Sequence, residues 1–129
     1  MDTIIFAIVE DLLFLTRIQE TARKIGIMVK TPEVMQVTKS IADAQARAVI
    51  LDLNHRSCPV LKIIRALKMD PDTHTIPTVG FVSHVQSDLI AAAREAGCDI
   101  VMARSAFVQQ LPELLRRFAT GHAEPSPEP

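Results

Sequence analysis

Apolar residues follow two alternating rhythms along this chain. Short, mostly apolar runs occupy Ile4–Val9, Ile27–Lys30, Ala48–Asn54, Ile76–Val82 and Ile100–Ala103. They are rich in β-branched residues and too short for helices, so they read as strands covered on both faces, as in a parallel sheet. Between them apolar positions recur at three and four. Phe14, Ile18, Ala22 and Ile25 stripe a first helix that Gly26 closes, and Val34, Val37, Ile41 and Ala44 stripe a second. Thr31-Pro32-Glu33 reads as the start of that second helix: a capping hydroxyl, a proline at the first helical position, an acid in the first turn. A third helix is expected from about Pro59 to Lys68, with Val60, Ile63, Ile64 and Leu67 inward. A fourth runs from Leu89 to Ala96, opened by Ser87 and Asp88 and stopped at Gly97. Leu111, Leu114, Leu115 and Phe118 mark a last helix, broken or begun at Pro112.

Strand then helix, five times over, implies an α/β fold: a doubly wound parallel sheet with helices on both faces, because right-handed crossovers leave few alternatives. The 129 residues suit one domain, expected over residues 1–120. The remainder, 121–129, is rich in proline and reads as a disordered tail. A formal net charge of −1 with 22% charged residues argues against a nucleic-acid surface. Aromatics are 4%, all phenylalanine, so no stacking platform for bases is expected. No run approaches the ~18 apolar residues of a membrane span, and Met1-Asp2-Thr3 has no basic character of a leader. Cys58 and Cys98 stand far apart in sequence and read as free thiols. The expectation is a cytoplasmic protein with neither membrane nor nucleic acid as partner.

The candidate chemistry lies at the ends of the strands. Ala48–Leu51 runs into Asp52, and a carboxylate is tolerated there only at the strand's carboxyl end, facing solvent. The first strand ends in Glu10 and Asp11, the fourth in Ser83 and His84, the fifth in Arg104. In open α/β sheets the carboxyl edge is where ligands bind. Acids gathered from the first and third strands repel one another unless a cation sits among them. Oxygen-only ligation suits Mg²⁺, and a hydroxyl and a cationic side chain nearby complete a site for a phosphoryl group.

The chain resembles the receiver domains of two-component response regulators over roughly Thr3 to Thr120. The separations Asp11 to Asp52, Asp52 to Ser83 and Ser83 to Arg104 are 41, 31 and 21 positions, close to the family's spacing from acidic pair to acceptor aspartate, hydroxyl residue and lysine. The resemblance implies a flavodoxin-like five-stranded sheet of order 2-1-3-4-5. It implies that Asp52 is the phosphoacceptor, served by a histidine kinase or a phosphotransfer protein. It further implies that Asp11 binds Mg²⁺ directly with Glu10 behind it, that Asp52 and the carbonyl of Asn54 are further ligands, and that Ser83 holds a phosphoryl oxygen. Arg104 would be the cation of the site. The only activity implied is autocatalytic, on the protein's own aspartate. With no DNA-binding segment after the domain, the output is expected to pass through a downstream protein target, and a weak homodimer is compatible with such a module.

The sequence departs from that family at several places. Arg104 stands where the family has lysine, and Ser105 where it has proline; a planar guanidinium does not replace a compact ammonium conservatively. Arg104 is expected to pair with Asp52 at rest. His84 follows the hydroxyl where a small residue is usual, either narrowing the approach to Asp52 or simply facing solvent. Val101 replaces an aromatic, and Asn54-His55-Arg56-Ser57-Cys58 lacks the usual proline and glycine. These departures support an alternative, a pseudo-receiver acting as a phosphorylation-independent interaction module. His55 makes Asp-x-x-His with Asp52, a near miss to a cobalamin-binding signature with the wrong spacing and no downstream glycine. A flavodoxin-like cofactor role is set aside, because Asp11-Leu12-Leu13 replaces the phosphate-binding loop.

Overall fold

The structure is a computed structural model that describes residues 3–84 and 86–121. Apart from Gly121, the proline-rich tail lies outside the described residues. Five strands, β1 (Thr3–Ile8), β2 (Ile27–Lys30), β3 (Ala48–Asp52), β4 (Thr78–Val82) and β5 (Ile100–Ala103), alternate with α1 (Leu12–Lys24), α2 (Val37–Asp43), α3 (Val60–Met69), α4 (Ser87–Ala96) and α5 (Arg104–Ala119). All strands pair in parallel, in the order β2-β1-β3-β4-β5. This is the doubly wound sheet that the alternating rhythm predicts, in the flavodoxin-like order that the resemblance implies.

The sheet divides two apolar layers. On one face Ile5, Ala7, Ile50, Val79 and Phe81 meet Phe14, Ile18 and Ala22 of α1 and Phe107, Leu111, Leu115 and Phe118 of α5. On the other, Phe6, Ile8, Val49 and Leu51 meet Ile41 of α2, Ile64 and Leu67 of α3 and Ala93 and Ala96 of α4. The period of two along each strand sends neighbours to opposite layers, and every residue of β3 and β4 is buried. These two strands therefore form the rigid centre on which the carboxyl edge is built.

Beside shifts of one or two residues at the ends of β1, β3, α3 and α4, three boundaries differ from the sequence reading for an identifiable physical reason. Thr31-Pro32-Glu33 does not start a helix; the chain stays extended at Glu33, makes a 3-10 turn over Val34–Gln36 and enters α2 at Val37. Pro32 is buried beside a small apolar cavity lined by Ile8, Val9, Val37 and Cys58, so packing of its ring prevails over its helix-starting role. β4 begins at Thr78 rather than Ile76, whose N–H instead closes a turn onto the Thr73 carbonyl. α5 begins at Arg104 and continues past Pro112 to Ala119. An interior proline costs about 3 kcal/mol, but five buried side chains flank it, Phe107, Leu111, Leu114, Leu115 and Phe118, each stabilising by roughly 1.5–3 kcal/mol.

Candidate functional site

The parallel register sets Ile8 of β1 beside Leu51 of β3, so the residues that follow each strand meet at the same edge. Asp52 closes β3 and is 7% exposed. It does not face solvent as the strand-end argument expects. Its Oδ2 accepts the Glu10 N–H at 3.3 Å and its Oδ1 the Asn54 N–H at 3.0 Å. Two backbone donors from the turns that lie over it compensate part of the lost hydration. Leu53 packs next to it against Gly80 of β4, where a Cβ would lie 2.9 Å from the Leu53 side chain.

The two acids after β1 part company. Asp11 is the N-cap of α1, its Oδ1 accepting the N–H groups of Leu13 at 3.0 Å and Phe14 at 3.2 Å. Its Oδ2 lies 3.4 Å from an Arg104 guanidinium nitrogen. The Phe14 N–H, followed by Arg104 and the Leu13 N–H, holds the Asp11 carboxyl below the usual carboxylate range. Glu10 turns the other way, accepting the Arg56 N–H at 2.9 Å and its Nε at 3.1 Å. Those contacts, the backbone N–H foremost, lower its pKa as well.

Arg104, first residue of α5, lays its guanidinium 3.9 Å above the Phe14 ring. Phe14 meets the edge of Phe81 at 5.1 Å, and Phe81 stacks on Phe107 at 5.1 Å. Phe81 is also the register partner of Asp52, so the rings run beneath the site. The expectation that Arg104 pairs with Asp52 is not met: its seat on Phe14 directs it to Asp11. Asn54 ties two loops together, its Oδ1 accepting the Ser83 N–H at 2.7 Å and its Nδ2 donating to Gln86 Oε1. Ser83 and His84 are exposed, and Val101 is half-buried against the layer that holds α3 and α4. His55 serves its own turn, Nδ1 accepting from Ser57 and Cys58 N–H groups, which assigns the ring proton to Nε2. Cys58 and Cys98 are free, and burial raises the pKa of both thiols.

The oxygen donors present are of the kind Mg²⁺ takes, but as arranged they do not fit it. Among the described residues no group of three or more His, Cys, Asp or Glu stands close enough to hold a metal. Glu10 is engaged with Arg56, and both Asp11 oxygens are engaged, one with α1 and one with Arg104. The expected convergence of Glu10, Asp11 and Asp52 is thus divided between two guanidinium groups. Sequence reasoning missed Asp11 as a helix cap, although an acid before an apolar helical stripe is a recognisable start signal. It had no signal for Arg56 as the partner of Glu10, which depends on the path of the β3–α3 loop.

No family model matches the sequence, and no curated protein does. Solved structures do. The chemotaxis response regulator CheY4 of Vibrio cholerae superposes with a TM-score of 0.75 at 13% identity, over 92% of this chain and 99% of that one. The phosphorylated cyanobacterial phytochrome response regulator RcpA gives a TM-score of 0.69 at 19% identity, over 90% of each chain. The Mn²⁺-bound form of response regulator Rcp1 gives 0.69 at 15% identity, over 98% and 99%. No helix among the described residues is long and apolar enough to cross a membrane. The chain has the fold of the response-regulator receiver domains.

Proposed function

We propose that this chain is a receiver module of a two-component relay and that Asp52 is its phosphoacceptor. The observation that carries this reading is Asp52 itself, a buried carboxylate closing the central strand, oriented by the Glu10 and Asn54 N–H groups. Phosphoryl transfer needs an in-line oxygen and stabilisation of charge on the transferred group, and little else from the protein. An Asp52 oxygen forms the new O–P bond as the N–P bond to a donor imidazole breaks and the electron pair leaves with that nitrogen. Ser83, at the end of β4, offers a hydroxyl to a phosphoryl oxygen, and Arg104 supplies positive charge. Mg²⁺ is the cofactor expected for this chemistry, but its ligand set is not assembled in this arrangement. Leu12 and Leu13, 73% and 85% exposed in the first turn of α1, give a histidine kinase or phosphotransfer protein an apolar foothold beside the site. A downstream protein target would read the loaded state.

The test is intact-mass measurement after incubation with a small phosphoramidate donor, with and without Mg²⁺. One added phosphoryl group is expected, lost in Asp52→Asn; equal labelling of that variant would mean that the nucleophile is misplaced. A second reading, a pseudo-receiver that binds partners without phosphorylation, is favoured by the engagement of both acids with arginines. It predicts no labelling under any metal condition.

A further inference from the structure

At Asp11 the misfit between the acids and a metal is centred on Arg104. Its guanidinium lies flat on Phe14 while one of its nitrogens points sideways to Asp11 Oδ2. A planar guanidinium suits both contacts, stacking its face on the ring while its edge donates to the carboxylate. The seat is firm: Phe14 is buried and braced by Phe81 and Phe107, both also buried. Asp11 is fixed as well, because its other oxygen caps α1. A divalent ion bound to Asp11 would sit about 2.1 Å from a carboxylate oxygen, and the only oxygen not capping the helix is the one that faces Arg104.

We infer that Arg104 is a lock on this site, a built-in cation that holds Asp11 in place of a divalent metal, so that metal enters only when the guanidinium lifts off Phe14. The inference rests on the reading of the Asp11–Asp52 edge as the working site, and it gives that site a form of regulation. At rest the acid charge is neutralised from within the chain, by Arg104 on Asp11 and by Arg56 on Glu10. A partner or ligand that draws Arg104 away, by offering its own anionic group, would uncover Asp11 and allow a metal to approach Asp52. Metal affinity and the position of Arg104 are therefore linked: whatever binds the guanidinium raises the affinity for metal, and the reverse.

Direct Mn²⁺ titration tests this, reading free Mn²⁺ by electron paramagnetic resonance on the full chain. Arg104→Met keeps an apolar stem over Phe14 and removes the charge; Arg104→Gln serves as a second variant should the first fail to fold. Both are expected to bind Mn²⁺ roughly threefold more tightly than the wild-type chain, as loss of a half-exposed competing cation implies. Adding Asp52→Asn to Arg104→Met should abolish the gain. Equal binding by wild type and Arg104 variants would overturn the lock, while labelling of Asp52 by a phosphodonor would still stand. Absence of binding in both also overturns it, since removing Arg104 would have opened nothing. A gain that survives Asp52→Asn would place the metal elsewhere and overturn it too.

Discussion

Asp11 carries two duties that pull on one carboxylate. As the cap of α1 it satisfies two N–H groups that a helix start leaves without partners, and as the partner of Arg104 it fixes the first residue of α5. Both contacts favour the charged form and lower its pKa, the Phe14 N–H most. A carboxyl with a lowered folded-state pKa contributes stability that is present above its unfolded value, and that is lost as pH falls through the folded one. Denaturant midpoints should therefore decline as pH drops from about 5 to 3. Asp11→Asn should flatten that decline, yet still cap the helix, because asparagine is as good an N-cap as aspartate. Asp11→Ala should lower the midpoint at neutral pH as well. An unchanged acid limb in Asp11→Asn would assign the pH dependence to other carboxylates.

At the scale of one element, α5 shows a local rule overridden by packing. Pro112 has no N–H for the Val108 carbonyl, and sequence reasoning therefore doubts the helix around it. The stripe Phe107, Leu111, Leu114, Leu115 and Phe118 holds the helix against the sheet all the same. Restoring the missing bond should then help: Pro112→Ala is expected to raise stability by about 1 kcal/mol, the helix gain being offset in part by a freer unfolded chain. Thermal or urea unfolding measures it, and a destabilised variant would show that the ring of Pro112 contributes packing of its own. α2 shows the converse, a strong start signal at Thr31-Pro32-Glu33 left unused because Pro32 is buried. Helices and strands were legible wherever their apolar stripe was long. Their ends were not, because ends are set by what the neighbouring loop packs against.

For the molecule as a whole, the two edges of the sheet do different work. At the edge away from the site, Lys68 of α3 reaches the carbonyls of His74 and Ile76 and, at 2.7 Å, the carboxylate of Asp99, which in turn accepts from the N–H and hydroxyl of Thr78. Lys68 is 17% exposed, so Asp99→Ala removes its counter-charge, leaves it only the two carbonyls, and should cost about 1–2 kcal/mol in urea unfolding. Phosphodonor labelling of Asp52 should survive, since the staple lies at the other edge; its loss would mean that the edges are coupled. Nothing in the sequence announced this staple, because its members lie on separate elements. The doubly wound parallel sheet and the carboxyl-edge position of Asp52, by contrast, followed from alternation and strand patterning, and the order of the strands from the resemblance. The candidate residues could be named from strand ends and the resemblance, but their pairings could not. Which arginine meets which acid depends on a few ångströms of loop path and on the ring of Phe14. That ring has an optical consequence. The chain contains neither tryptophan nor tyrosine, so a tryptophan in place of Phe14 would be its sole strong emitter, with a guanidinium lying on its face; its fluorescence would report in real time whether Arg104 is seated or has left.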